Sequence, residues 1–311
     1  MRISRGVKCD SDQIIITNGY QAGLELICKI LKLSGKKVWM EDPGYIYATK
    51  LLEDIGAEII RVPVDDDGMI VSLGIKNAEN AKLAIVTPSH HSPLGMTLSS
   101  SRRVELLNWA GVNDSWIVED DYDGEYRYSG YPLPSLKSLD QYDRVIYAGS
   151  FSKTLFPSLR LGYVVVPQKL VDDFTEKLSL LRANYSFKAQ LIVNDFIAEG
   201  HFSKHLNKMR ALYAERRELT SQCLADVLED RIEITTTKNG THFVAKLRNN
   251  ESDIEIVNSF NKLGYGIHAL SNWTTDTVRN GLIIGFTNVS NKKIAESATI
   301  DLRNAFLRFN A

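Results

Sequence analysis

The segment Trp116-Ile-Val-Glu-Asp-Asp-Tyr-Asp123 joins a short apolar run to a cluster of carboxylates. The apolar half is long enough for one buried strand, and the acidic half falls where that strand ends. In open α/β sheets, ligands bind beyond the carboxyl ends of the strands. The segment therefore predicts a central strand of a sheet with functional side chains at its carboxyl end.

Three interpretations of this acidic end remain open on the residues alone. Clustered carboxylates suit a divalent cation such as Mg²⁺. One carboxylate can instead pair with a protonated ring nitrogen, while the Tyr122 hydroxyl meets a ring oxygen. The third interpretation is a solvated acidic loop without a binding role.

Other strand-like runs alternate with helical patterns over the first two-thirds of the chain. Strands are predicted at residues 13–17, 37–41, 58–62, 83–87, 145–149 and 161–166, and helices at residues 21–33, 45–55, 99–110 and 168–181. This alternation is typical of βα units that build a mostly parallel sheet. The strands are almost continuously apolar, which predicts that helices sandwich the sheet on both faces.

The order of elements changes after a long amphipathic helix predicted at residues 204–228. Two strands then meet across an Asn239-Gly240 turn, which favours a hairpin, and a helix, two strands and a final helix follow. We therefore predict an α/β fold with a large domain over residues 1–200 and a smaller α+β domain over residues 201–311.

The composition argues against several functional classes. The 311 residues suffice for about two domains, and 44% hydrophobic with 24% charged residues is ordinary for a folded chain. A net charge of −1 attracts neither nucleic acid nor an anionic membrane to this chain alone. The sequence shows scattered cysteines, and we find in it neither a signal peptide nor an apolar run of about 18 residues. We therefore predict a cytoplasmic protein.

The segment Gly149-Ser-Phe-Ser-Lys-Thr-Leu-Phe-Pro-Ser-Leu-Arg-Leu-Gly162 holds the most reactive combination of side chains. Lys153 follows a predicted buried strand, Ser150 and Ser152 stand just before it, and Arg160 stands seven residues after it. A lysine beside a cation can be held as the neutral amine that Schiff-base chemistry needs. The hydroxyls and Arg160 together suit a phosphate group. The alternative is a surface loop with an incidental lysine and arginine.

Three further segments are candidate parts of a site. Thr17-Asn-Gly-Tyr-Gln-Ala-Gly-Leu24 leads from a predicted strand into a helix, whose free N–H groups form an anion pocket. The turn before Tyr45 can present that ring as a stacking surface. Arg279 precedes a predicted strand of the small domain and can bind a carboxylate through two parallel hydrogen bonds. Each segment is also compatible with a purely structural role.

Taken in order, these segments resemble the fold-type I pyridoxal-phosphate enzymes, and among them the aminotransferase-like domain of the MocR-type regulators of the GntR family. The strings that carry the resemblance are TNGYQAGL, EDPGY, TPSHHSPLG, WIVEDDYDGEYRY, GSFSKTLFPSLRLGY and RNGLIIGF. They spread over essentially the whole chain, and several ordered matches are more specific than any single one.

The resemblance implies a role for each matched residue. Lys153 would form the Schiff base with pyridoxal 5'-phosphate and then act as the general base at Cα. Asp120 would hold the pyridine nitrogen protonated, and Tyr122 would hydrogen-bond the ring oxygen. The remaining roles are ring stacking by Tyr45, phosphate binding by Tyr20, Gln21, Ser150, Ser152 and Arg160, and binding of the substrate α-carboxylate by Arg279.

The chain departs from the family pattern at several points. Aminotransferases usually carry an asparagine where Ser92 stands, so one ring-oxygen contact is missing or replaced, and Ser92 is the candidate cofactor-binding residue at that position. The MocR-type pattern reads His-Gln where this chain has His90-His91. MocR-type relatives also carry a winged helix-turn-helix, a linker and a further stretch of aminotransferase domain before this point, so the resemblance predicts a truncated chain.

The resemblance predicts an aminotransferase that moves an amino group between an α-amino acid and a 2-oxo acid and that forms a homodimer. An alternative function is the effector-sensing domain of a MocR-type transcription regulator, which binds the cofactor and an amine without turnover. A third interpretation, based on the short N-terminus, is an inactive fragment.

Overall fold

The computed structural model describes residues 5–130, 134–181, 187–235, 237–249, 251–276 and 279–307. The chain divides into two compact units. The first unit comprises Met1–Ser92, Met96–Glu125 and Tyr131–Ser203, and the second comprises Pro93–Gly95, Tyr126–Gly130 and Lys204–Ala311. Two short pieces of the second unit thus lie within the residue range of the first unit.

Among the described residues, eight strands form the sheet of the first unit. They are β1 (Ile14–Thr17), β2 (Lys37–Asp42), β3 (Glu58–Asp65), β4 (Gly68–Met69), β5 (Leu83–Val86), β6 (Trp116–Asp121), β7 (Val145–Ser150) and β8 (Gly162–Val165). Their order is β1-β8-β7-β6-β5-β2-β3-β4. The five strands from β7 to β3 are parallel, whereas β8, β1 and β4 pair antiparallel. The predicted mostly parallel sheet is confirmed.

Helices flank this sheet. They are α1 (Tyr20–Ile30), α2 (Ile46–Ile55), α3 (Val71–Ala78), α4 (Ser100–Val112), α5 (Leu136–Leu139), α6 (Val171–Leu181) and α7 (Phe187–Ala198). Helix α1 buries Leu24, Leu26 and Ile27 against the sheet because these residues recur at helical spacing. Strand β6 is buried at all of its positions, so its acidic end lies inside the protein.

The second unit has its own sheet and core. Its strands are β9 (Ile232–Thr235), β10 (His242–Leu247), β11 (His268–Ala269) and β12 (Gly281–Gly285), and its helices are α8 (His201–Leu228), α9 (Asp253–Asn261) and α10 (Lys292–Leu307). The strands pair antiparallel in the order β11-β12-β10-β9. Phe243, Phe286 and Phe306 lie in the core beneath them. Among the helices that the structure describes, none has the length and apolar character needed to cross a bilayer.

A buried ion pair connects the N-terminal segment to β6. Arg5 Nε lies 2.6 Å from Asp121 Oδ2, and the two side chains are 5% and 3% exposed. The Arg5 guanidinium also donates to the Ser89 hydroxyl, and the Tyr147 hydroxyl donates to the same Asp121 oxygen. The negative charge of the buried Asp121 carboxylate is therefore neutralised by the Arg5 guanidinium, and the Tyr147 hydroxyl adds a hydrogen bond.

Arg5→Met is expected to lower the free energy of unfolding by about 3–5 kcal/mol, because it leaves the buried Asp121 carboxylate without its cation. Urea unfolding measures the change. Lys29→Met is the control, since Lys29 and Glu25 form an ion pair whose side chains are 45% and 47% exposed, and an exposed ion pair contributes at most about 1 kcal/mol. Equal losses in the two variants would contradict this role for Arg5.

Candidate active site

The candidate site lies at the carboxyl ends of the parallel strands β6 and β7. In their ladder, Asp120 is level with Ala148 and Asp121 with Gly149. Ser150 continues β7 by one residue, and the loop that carries Lys153 follows it. The pairing of two strands therefore brings the acidic segment and the lysine segment to the same edge of the sheet.

The carboxylates of the acidic segment do not converge on one point. Glu119 accepts the backbone N–H groups of Leu136 and Lys137 at 2.7 and 2.8 Å, while Asp121 faces Arg5 and Asp123 faces a histidine ring. Within the described residues, no three His, Cys, Asp or Glu side chains are grouped as metal ligands. The divergence favours separate roles for these carboxylates over a shared cation.

Asp120 is a buried carboxylate with an unused acceptor and, within the described ranges, no cation paired with it, whereas Asp121, which also has an unused Oδ1 atom, is paired with Arg5. Asp120 is 5% exposed, and its Oδ1 atom forms no hydrogen bond with any residue that the structure describes. Burial raises the pKa of Asp120 well above its ordinary value, a hydrogen bond from the Tyr20 hydroxyl lowers it, and the nearby Asp121 and Asp123 carboxylates raise it. A buried acceptor of this kind fits a ligand that supplies an N–H donor or a cation.

Two tyrosines stand beside Asp120. The rings of Tyr20 and Tyr45 are 5.9 Å apart and meet edge to face. Burial and the Asp120 carboxylate raise the pKa of Tyr20 well above its usual value, and the same two causes raise the pKa of Tyr45 to about 12. Both phenols thus stay neutral. They are half-buried, Tyr20 at the start of α1 and Tyr45 directly before α2.

Three glycines bring the anion-binding candidates together. A Cβ at Gly162 would lie 2.8 Å from the Gly19 carbonyl carbon and 3.1 Å from the Gly149 oxygen, so a side chain there would separate the three segments. Gly19 has φ +86°, and no described atom beyond its chain neighbours lies within 4 Å of its ideal Cβ position. Open space therefore adjoins the N-terminus of α1, where backbone N–H groups favour an anion.

The loop after β7 carries the two predicted cations. The Leu155 N–H donates to the Phe151 carbonyl at 2.8 Å, and the Phe151 N–H donates to the Leu161 carbonyl at 3.0 Å, so both ends of the loop are fixed. Lys153 and Arg160 are exposed on it. The Ser150 hydroxyl accepts the N–H of Ser152 at 3.1 Å. An amine, a guanidinium and two hydroxyl groups are thus presented by one short loop.

The loop after β5 contains residues for which sequence reasoning assigned no role. Glu41 accepts the N–H and the hydroxyl of Thr87 at 3.0 and 2.7 Å, and the Thr87 hydroxyl accepts the N–H of Ser92 at 3.1 Å. Burial raises the pKa of Glu41 to about 7. His90, in the same loop, contacts Tyr122. The sequence signal for this loop is the string TPSHHSPLG, in which His90 keeps the histidine of the MocR-type pattern and His91 replaces its glutamine.

Arg279, the last predicted site residue, lies in the second unit. It is half-buried and stands two residues before β12. The other predicted site residues lie in the first unit.

The model of the family described as aminotransferase class I and II matches residues 2–271. The chain belongs to this family. The solved structure of a Pyrococcus horikoshii kynurenine aminotransferase, in complex with PMP, superposes on it with a TM-score of 0.86 and 26% identity, covering 99% of this chain and 78% of that one. The predicted family and its fold are confirmed.

Curated relatives of this aminotransferase-family chain include regulators and an enzyme. A probable rhizopine catabolism regulatory protein MocR of Rhizobium meliloti is 39% identical over 308 residues, which are 99% of this chain and 62% of that protein. The HTH-type regulator YdeL of Bacillus subtilis is 37% identical over 94% of this chain and 63% of its own length. An aromatic-amino-acid aminotransferase of Thermococcus litoralis is 28% identical over 95% of this chain and 73% of its length. The chain thus spans less than two thirds of the two regulators.

The cofactor of this aminotransferase-family chain is pyridoxal 5'-phosphate, and the residues present fit it. Asp120 lies beside the Tyr20 hydroxyl, and its buried Oδ1 atom makes no geometric hydrogen bond among the described residues, which suits a protonated pyridine nitrogen. The open space at Gly19 adjoins a helix N-terminus, which suits a phosphate. Both features lie in the first unit, at the edge of the sheet where Lys153 is presented.

Proposed function

We propose that this chain transfers an amino group between an α-amino acid and a 2-oxo acid with pyridoxal 5'-phosphate. The observation that carries the proposal is the buried, unused Asp120 acceptor at the sheet edge that also presents Lys153. When bound, the cofactor supplies an electron sink for the charge that develops at the substrate Cα.

Each residue near this edge has a task that its chemistry supports. The Lys153 amine attaches the cofactor covalently and, once released, moves the proton at the substrate Cα. Asp120 accepts a hydrogen bond from the ring nitrogen and holds it protonated. Tyr122 donates to the phenolic ring oxygen, near Ser92, and Tyr45 covers the ring.

Phosphate and substrate binding complete the proposal. The N-terminus of α1 at Tyr20 and Gln21, with the loop residues Ser150, Ser152 and Arg160, holds the phosphate. Arg279 binds the substrate α-carboxylate, since a guanidinium matches a carboxylate with two parallel hydrogen bonds. This assignment of Arg279 rests on the family resemblance.

The proposal extends to the assembly and the compartment. We propose a homodimer in the cytoplasm. The homodimer is supported by exposed apolar side chains in the first unit, since Leu180, Phe187 and Ile192 are 69%, 68% and 68% exposed, and exposed apolar surface favours burial against a second chain. The near-zero net charge gives this chain alone no general attraction to nucleic acid.

A second candidate function is effector sensing without turnover. It is favoured by the two regulators that are 39% and 37% identical to this chain. In this case the chain would bind the cofactor and an amine, and the result would be a change in conformation instead of a product.

Transfer of ¹⁵N distinguishes the two functions. The cofactor-loaded chain is incubated with a panel of ¹⁵N-labelled amino acids and unlabelled 2-oxo acids, and mass spectrometry follows the label. Catalysis is expected to give several labelled product molecules per chain. A change in the visible spectrum with no labelled product would support sensing, and a chain that leaves the cofactor spectrum unchanged would contradict both functions.

A further inference from the structure

Three contacts converge on a single ring nitrogen of His90. Its Nδ1 atom lies 2.9 and 3.1 Å from the two carboxyl oxygens of Asp123 and 2.9 Å from the Tyr122 hydroxyl oxygen. The side chains of His90 and Asp123 are each 1% exposed. The three residues come from two loops, since His90 follows β5 and the other two follow β6. Water therefore has little access to this contact.

The contacts decide where the protons lie. A carboxylate only accepts hydrogen bonds, so the approach of both Asp123 oxygens to Nδ1 requires a proton on that nitrogen. A protonated Nδ1 cannot also accept from Tyr122. The Tyr122 oxygen therefore accepts from His90. Both Asp123 oxygens face the same Nδ1 proton, so His90 competes with the Tyr122 hydroxyl for the Asp123 carboxylate.

The Tyr122 hydroxyl keeps that proton over the ordinary pH range. Burial raises the pKa of Tyr122 well above its usual value, and the charges of Asp123 and Asp120 and a hydrogen bond to Asp123 raise it further, whereas a hydrogen bond with Ser92 lowers it. Because the His90 N–H engages the Asp123 oxygens, the neutral phenol can turn its proton to a ligand oxygen.

We propose that His90, fixed by Asp123, is a positioning residue that keeps the Tyr122 proton available for the phenolic oxygen of the cofactor. The inference rests on the proposed role of Tyr122. The His90–Asp123 pair acts through Tyr122 and needs no contact with the cofactor itself. This role for His90, the first histidine of the TPSHHSPLG segment, was not predicted from the sequence alone.

The first test uses the cofactor-free protein. With ¹⁵N-labelled histidine, the ring nitrogens of the six histidines give separate NMR signals, and those missing from His90→Asn belong to His90. We expect Nδ1 of His90 to carry a proton. An unprotonated Nδ1 would overturn the proposal, because it would draw the Tyr122 proton toward His90. This readout stands whether or not the parent binds the cofactor.

The second test compares His90→Leu with the conservative His90→Asn in loaded protein, because the Asn amide can place an N–H where Nδ1 stood. Loss of the directed donor makes the cofactor oxygen more basic, so the pH midpoint of its visible absorbance is expected to rise by about one unit in His90→Leu. In His90→Asn, the pH midpoint is expected to lie close to that of the parent. An unchanged midpoint in His90→Leu, or equal shifts in both variants with cooperative melting retained, would overturn the proposal.

Discussion

Lys153→Ala is expected to abolish the covalent attachment of pyridoxal 5'-phosphate while leaving the fold unchanged. Lys153 is exposed on the loop after β7, and substitutions at exposed positions usually change stability by less than about 0.5 kcal/mol. The amine that the proposed chemistry needs is nevertheless lost. Amino transfer is expected to fall by at least about 10³-fold, because the group that moves the Cα proton is lost as well.

The measurement is the visible spectrum with cofactor before and after borohydride, followed by the mass of the chain. The parent is expected to keep the added mass of one cofactor after reduction, and the variant to keep none. Lys188→Ala is the matched control, since Lys188 is an exposed lysine of α7 in the same unit. Equal cofactor mass on Lys153→Ala and on the parent would place the attachment on another residue and remove the basis of the proposed function.

The central sheet was predictable because its strands are apolar runs of the right length. β6 is the clearest case, since all of its side chains are buried. The directions of β1 and β8 were not predictable, because strand direction depends on which neighbour a strand pairs with and not on its own pattern. Both pair antiparallel at one edge of the sheet.

Sequence reasoning missed helix α3 for a physical reason. A glycine inside a helix is a breaker signal, and Gly74 lies in the middle of α3. In the structure, a Cβ at Gly74 would lie 2.9 Å from the Trp39 ring. The glycine therefore lets the helix pack closely against a buried tryptophan, and this tertiary contact offsets the lower helix propensity.

The supporting contacts of the site were beyond sequence reasoning because they join distant positions. Asp120, Tyr122 and Lys153 stand in motifs, but His90 reaches Asp123 across 33 positions and Arg5 reaches Asp121 across 116. No local pattern encodes such pairs, since strand order decides which loops meet. The sequence motifs contain the residues proposed to contact the cofactor. The residues that orient their side chains or neutralise nearby charges can be recognised only in the folded structure.

Asp120→Asn is expected to raise stability and lower activity at once. In the cofactor-free protein, the Asp120 carboxylate is buried with an unused Oδ1 acceptor, which costs about 1–3 kcal/mol. A neutral amide of the same shape removes the buried charge, so the free energy of unfolding should rise by about 1 kcal/mol at pH 8. In the loaded protein, the amide cannot hold the ring nitrogen protonated, and transfer is expected to fall by about 10²–10³-fold.

The stability gain has a definite pH dependence. Because folding raises the pKa of Asp120, the folded state binds the proton more tightly, and the parent loses stability as pH rises above the unfolded pKa of about 3.9. The Asp120→Asn variant has no carboxyl to titrate at this position, so it does not lose this stability. Its free energy of unfolding should therefore exceed that of the parent by more at pH 8 than at pH 5. Glu119, with its pKa raised to about 7, adds a slope common to both proteins that cancels in the difference. Glu41 does not cancel, because its charge raises the pKa of Asp120, and it enlarges the advantage of the variant at pH 8.

Urea unfolding of cofactor-free parent and variant at the two pH values makes the comparison. Asp54→Asn is the matched control, because Asp54 is exposed on α2, and its substitution should give a difference near zero that does not vary with pH. An Asp120→Asn protein that is less stable than the parent at pH 8 would mean that the hydrogen bond from the Tyr20 hydroxyl stabilises the carboxylate by more than its burial costs. In that case the buried acceptor would not be reserved for a ligand, and the strongest support for the cofactor's ring-nitrogen site would be lost.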